Sequence, residues 1–186
     1  MAKGGNFELK IAKLLSLWFS NGKRDDLICR TDSSGGRATV RMTKNKKSSK
    51  YWYGDLKNSD DVARPVFDKW SIECKTGYSR KNKQSIARWD VLDILDSFKK
   101  KHTIGEMWGQ CKRDAKLSKR TPVLIFGRSL RFPCIAFDAS YFFEVVTYEN
   151  NLKSVIVSFN NDSIIIFRLN DFLKKFSKNE FFEEEK

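Results

Sequence analysis

Between Asn6 and Phe19 the apolar positions recur at helical spacing. With Phe7 as zero and about 100° per residue, Trp18, Ile11, Leu15 and Phe19 fall at about 20°, 40°, 80° and 120°, one apolar stripe. Lys10 and Lys13 lie on the far side, and Asn6, after Gly4-Gly5, is the expected N-cap. Residues 27–30 form a short strand pattern, and 31–36 are a turn-rich loop. Tyr51 to Leu56 returns to β-forming residues, and a polar insert with Pro65 fills 57–69. The run Trp70-Ser71-Ile72-Glu73-Cys74-Lys75 then reads as a buried strand stopped near Gly77.

Further on, the pattern predicts helices over about 86–101 and 105–119, and core strands over 121–126 and 134–137. The first of these helices draws an apolar side from Trp89, Leu92, Ile94, Leu95 and Phe98. Residues 155–159 and 164–167 flank the turn Asn160-Asn161-Asp162 as a hairpin, and 171–177 form a final short helix before a solvated acidic end. No repeat and no domain boundary interrupts the chain, so 1–186 is expected to be one domain. Its core spans about 4–137, with the hairpin and short helix added over about 138–180.

Composition supports a packed core: 186 residues are 40% hydrophobic, with 15 Phe and 5 Trp. Charge narrows the partner. Lys and Arg total 36 against 23 Asp and Glu, a formal +13 with a sequence pI near 9.6, the footprint of a polyanion binder. Nucleic acid is the expected partner. No apolar run reaches the roughly 18 residues of a membrane span, and no signal-peptide core opens the chain. A soluble, intracellular, cytoplasmic protein is expected. Cys29, Cys74, Cys111 and Cys134 form no C-x-x-C pair, and His102 is the single histidine. These argue against zinc, a disulfide framework and a Ser-His-Asp triad.

Between Arg37 and Lys50 stand six cations (Arg37, Arg41, Lys44, Lys46, Lys47 and Lys50) and no anion. A second basic stretch holds Arg80, Lys81 and Lys83. Either run can be a solvated charged segment; beside the overall charge, a DNA-contacting role is favoured. The loop with Ser33 and Ser34 is of the kind whose amides approach a phosphate.

On a strand, alternate side chains share a face, so Glu73 and Lys75 lie together while Ile72 and Cys74 face the other way. A carboxylate and an ammonium so placed can hold a metal and position a water, although an ordinary ion pair meets the same pattern. Glu8 falls at about 100° on the first helix, inside its apolar stripe, where it must meet a cation, a metal or bound water. Asp55 follows Gly54, where the chain can bend, and neighbouring strands would bring it to Glu73.

The order is Glu8 on the first helix, Asp55 after a strand, then Glu73-Cys74-Lys75 after 17 intervening residues. It resembles the PD-(D/E)XK nuclease superfamily. Gly4-Gly5, Glu8, Arg30 and Ser33-Ser34-Gly35 resemble the start of the Holliday junction resolvases of archaeal and phage type within it. The resemblance implies an α/β restriction-endonuclease-like core, a mixed central sheet flanked by helices, and magnesium or manganese as cofactor. It implies Asp55 and Glu73 as metal ligands with the Cys74 carbonyl, Glu8 as a ligand or an anchor for bound water, and Lys75 as the residue orienting the attacking water. Arg30, Ser33 and Ser34 would contact DNA, and the protein would be a homodimer. Gln110 is similar to a glutamine of other nucleases in the superfamily, without the tyrosine that accompanies it there. Gly54 stands where the pattern has proline. Carboxylates and a carbonyl suit magnesium better than zinc, with one ion or two.

The expected function is therefore a metal-dependent endodeoxyribonuclease acting on branched or duplex DNA, resolvase-like in specificity, with a phage origin compatible with that reading. A restriction-type or host-DNA-degrading nuclease is the alternative enzyme. A non-catalytic DNA-binding module is the alternative outside catalysis.

Overall fold

The computed structural model describes residues 3–31, 53–76, 103–127, 131–147 and 152–182. Helix α1 (Lys3–Phe19) starts three residues before the expected cap, so Gly4 and Gly5 lie inside its first turn. It ends where Asn21 and Gly22 take left-handed backbone angles (φ 53° and 81°) and the Gly22 N–H donates to Leu17 O at 2.7 Å. Strands β1 (Ile28–Arg30) and β2 (Leu56–Asn58) form a separate antiparallel pair. The expected polar insert is structured. After β2 comes a 3-10 turn (Asp61–Ala63) capped by Asp60, then helix α2 (Arg64–Lys69). Pro65 sits in its first turn, where a missing N–H breaks no helical bond.

Strand β3 (Trp70–Lys75) follows directly, and helix α3 (Thr103–Ser118) leads into β4 (Thr121–Phe126). Then come β5 (Cys134–Asp138), helix α4 (Ala139–Val145), β6 (Ser154–Phe159), β7 (Asp162–Arg168) and helices α5 (Leu169–Lys175) and α6 (Asn179–Phe182). The main sheet is mixed, in the order β3-β4-β5-β7-β6, with β3 and β4 parallel and the other pairs antiparallel. β6 and β7 are not an addition outside the sheet. β7 lies within it, so the sheet continues past the core limit expected near residue 137.

Strand alternation sends side chains into two layers. On one face Trp70, Ile72, Val123, Ile125, Phe137, Ile165 and Phe167 pack under α1 and the C-terminal helices. Trp18 stacks on Trp70 at 6.1 Å, and its indole N–H donates to Phe176 O at 2.8 Å. Phe181 meets Trp18, Trp70, Phe137 and Phe172 in the same layer. The buried Ser16 hydroxyl accepts from Ile28 N at 2.9 Å, tying β1 to α1. On the other face Leu124, Phe126, Ala136, Val157 and Ile164 pack against Met107, Trp108 and Cys111 of α3.

The expected helix at 86–101, His102, the turn-rich loop from Asp32 onward and the acidic end lie outside the described residues. Among the described residues no helix is long and apolar enough to cross a membrane.

Candidate active site

Asp55 stands at the entrance of β2 rather than at the end of a strand, and its backbone joins the two sheets. Its N–H donates to Ile72 O at 2.8 Å, and its carbonyl accepts from Thr31 N at 2.9 Å. Its side-chain Oδ2 accepts from Cys74 N at 2.8 Å. Gly54 makes this approach possible: its φ is +88°, and a Cβ there would lie 2.8 Å from Ile72 O. On the other side of β3, the Lys75 carbonyl accepts from Gly127 N, next to β4, at 2.8 Å. Since successive residues of a strand turn their amides to opposite sides, the Cys74 carbonyl points to the same side as its N–H, toward Asp55. The Cys74 thiol is buried, which pushes its pKa well above the ordinary thiol range and keeps it neutral.

Glu73 and Lys75 share the α3 face, and the Lys75 ammonium donates to Glu73 Oε1. Gln110 Nε2 of α3 donates to the same oxygen at 2.8 Å. Asp55 is 8% exposed and Glu73 is 3% exposed, so both carboxylates are costly to ionise. Burial, then the nearby Asp55 charge, pushes the Glu73 pKa up to about 7 despite the opposing Lys75. Asp55 is raised mainly by burial, against the pull of the Cys74 amide and Lys75.

Glu8 is buried and paired with Arg30, whose Nε lies 2.6 Å from Glu8 Oε2. The guanidinium lies over the start of α1, because a Cβ on Gly5 would fall 2.9 Å from Arg30 Nη1. Arg30, expected to touch DNA, is thus also the cation that Glu8 required. The other expected DNA contacts, Ser33, Ser34, Arg37, Arg41, Lys44, Lys46, Lys47, Lys50, Arg80, Lys81 and Lys83, lie outside the described residues.

The family model described as "Phage putative PDDEXK endonuclease" matches residues 1–183. The chain belongs to this family. No curated protein and no solved structure matches it. Membership supports endonuclease activity, the hydrolysis of phosphodiester bonds.

As the side chains stand, no three acidic, cysteine or histidine residues among the described residues form a ready metal cage. Glu8 is engaged by Arg30, Glu73 by Lys75 and Gln110, and one Asp55 oxygen by Cys74. The donor set nevertheless fits a hard divalent cation. Among the described residues, Asp55 Oδ1 and Glu73 Oε2 accept no hydrogen bond. Two carboxylates whose pKa values are raised by burial and by neighbouring acids are also stabilised by added positive charge.

Two residues of this candidate site were not prominent in the sequence. Asp114, one turn beyond Gln110, is half-buried and raised by that burial, and its field acts on Asp55, Glu73 and Lys75. Taking Met107 as zero, it falls at about −20° on α3, just beside the buried stripe that runs from Met107 to Trp108, so the wheel marks it less sharply than Glu8. Arg120 is buried and donates to Tyr53 O at 2.7 Å and to Phe67 O and Trp70 O at 3.1 Å. It clamps the segments approaching Asp55 and Glu73. In sequence it resembles an ordinary cation after a helix.

Proposed function

We propose that the protein is a divalent-metal-dependent endodeoxyribonuclease. The observation that carries this reading is the pair of buried carboxylates, Asp55 and Glu73, with half-buried Lys75 beside them at one edge of the sheet in a chain of formal charge +13. Asp55, Glu73 and the Cys74 carbonyl would hold magnesium, for which manganese can substitute. When bound, the ion supplies charge neutralisation at the scissile phosphate and lowers the pKa of a water. Lys75 orients the attacking water by donating from its ammonium, and Gln110 fixes the Glu73 carboxylate through Oε1. Glu8 either joins the ligands or anchors bound water, with Arg30 setting its orientation.

The proposed substrate is a four-way junction cut by a homodimer, since symmetric resolution needs two active sites related by a two-fold axis. The resolvase-like residues Gly5, Glu8 and Arg30 support this by contacting one another as a unit. The cations of 37–50 would follow the backbone without reading bases.

The test incubates labelled junction, duplex and single strand with the protein in magnesium, calcium or EDTA. Cleavage is expected with magnesium only, with junction preferred, while calcium supports binding alone. Wild-type cleavage by Asp55→Ala or Glu73→Ala would sink the metal-site assignment. A monomer cutting duplex as readily as junction would remove the resolvase reading and leave the nuclease. Replacing Lys44, Lys46 and Lys47 with Ala should make the log-log salt slope of binding shallower by up to about 3. An unchanged slope would exclude that segment from the interface.

A further inference from the structure

Lys75, Phe126, Cys134 and Arg168 stand side by side across β3, β4, β5 and β7. Residues aligned this way project to one face, so Arg168 shares the face of the Glu73-Lys75 pair at the same end of the sheet. Three strand spacings separate Lys75 from Arg168, roughly 14 Å at about 4.8 Å each. Two residues before Cys134, Phe132 is 59% exposed, whereas most aromatics among the described residues are buried. The Arg168 guanidinium lies 4.2 Å from the Phe132 ring centroid, and Asp171 braces it at 3.4 Å. Arg131, the preceding residue, is also exposed.

An exposed aromatic with one face against a cation, next to a second cation, has the chemistry that holds a base and its phosphate. The ring stacks any base, and the guanidinium pairs with the backbone. Bases in a continuous duplex are stacked on one another, so a side-chain ring meets one only by unstacking the duplex at a cost of about a few kcal/mol. An unpaired or branch-point nucleotide carries little of that cost.

We propose that Phe132 and Arg168 form a stacking platform for an unpaired nucleotide of the DNA, on the sheet face of Glu73 and Lys75 and three strands away from them. This inference rests on the endonuclease reading and specifies the DNA that its site takes. The platform favours DNA with a branch or flap over fully paired duplex, without reading sequence.

The test measures binding in EDTA to a paired duplex and to the same duplex carrying an unpaired flap with 2-aminopurine, for wild type, Phe132→Ala, Phe132→Leu, Phe132→Trp and Arg168→Ala. Wild type should prefer the flap and quench the 2-aminopurine on binding. Phe132→Ala and Phe132→Leu should each reduce the flap-over-duplex preference by about 5- to 100-fold and abolish the quench. Phe132→Trp should retain both, and Arg168→Ala should make the salt slope on flap DNA shallower by about 1. Unchanged preference and quench in Phe132→Ala would overturn the proposal. So would equal weakening on both DNAs, the result of a ring that only packs the sheet end. Cleavage by wild type in magnesium is scored separately. A platform without cleavage refutes the nuclease reading, and cleavage without the platform refutes this one.

Discussion

The two layers over the main sheet use burial differently. Beneath α1, α5 and α6 the layer is aromatic and apolar, with Trp70, Phe137, Phe172 and Phe181 all fully buried. Beneath α3 the layer is apolar at its centre, but toward β3 it buries Glu73, with Lys75, Gln110 and Asp114 around it. The first arrangement gains stability from every ring it encloses. The second gives up stability by burying charge, and obtains a carboxylate poised near neutral pH. Within one sheet, the stable layer supports the costly one.

The largest effects should separate the layers by activity. Glu73→Gln and Asp55→Asn should lose metal-dependent cleavage by several orders of magnitude, on the order of 10³-fold or more. Each should melt no lower than wild type in EDTA above pH 7, because a buried charge has been removed. Calorimetry showing strong destabilisation would contradict the picture of repelling carboxylates. The opposite behaviour belongs to the aromatic layer. Phe181→Ala should cost about 3–5 kcal/mol in urea unfolding while leaving cleavage at low temperature within a few-fold of wild type.

A smaller effect comes from protons. Folded Glu73 keeps its proton to about pH 7, whereas its ordinary value is 4.5, so the metal-free folded state binds more protons between these values. Stability should therefore fall as pH rises through that window, by something on the order of 3 kcal/mol from Glu73. Asp55, raised in the same direction, would add to the fall. Urea titrations across this range should show the loss, and Glu73→Gln should flatten it; a slope unaffected by the substitution would place the origin elsewhere. The smallest effect is again in the aromatic layer. Ser16→Ala should cost about 1–2 kcal/mol, measured the same way, by leaving the buried Ile28 amide without its acceptor.

Much of the site was legible because it follows from periodicity. Strand alternation put Glu73 and Lys75 on one face, and the helical wheel showed that Glu8 needed a partner, which is Arg30. The boundaries misread in the sequence depend on distant contacts. Gly4-Gly5 suggested a break before α1, yet both are helical, and Gly5 is the small residue beneath Arg30. Pro65 lay in what read only as a polar insert, but it stands in the first turn of α2. The hairpin looked like an appendage because local pattern does not reveal that β7 pairs with β5. Arg120 was invisible for the same reason, as its three carbonyl partners come from Tyr53, Phe67 and Trp70.

Gly54 has a consequence for how signatures of this kind are searched. A proline ring holds φ near −65°, while this backbone sits at +88° with no room for a Cβ beneath the Ile72 carbonyl. A search template that demands proline before the aspartate therefore rejects this chain although its acids and lysine are in place. That letter reports the path by which the backbone arrives, and the chemistry begins one residue later.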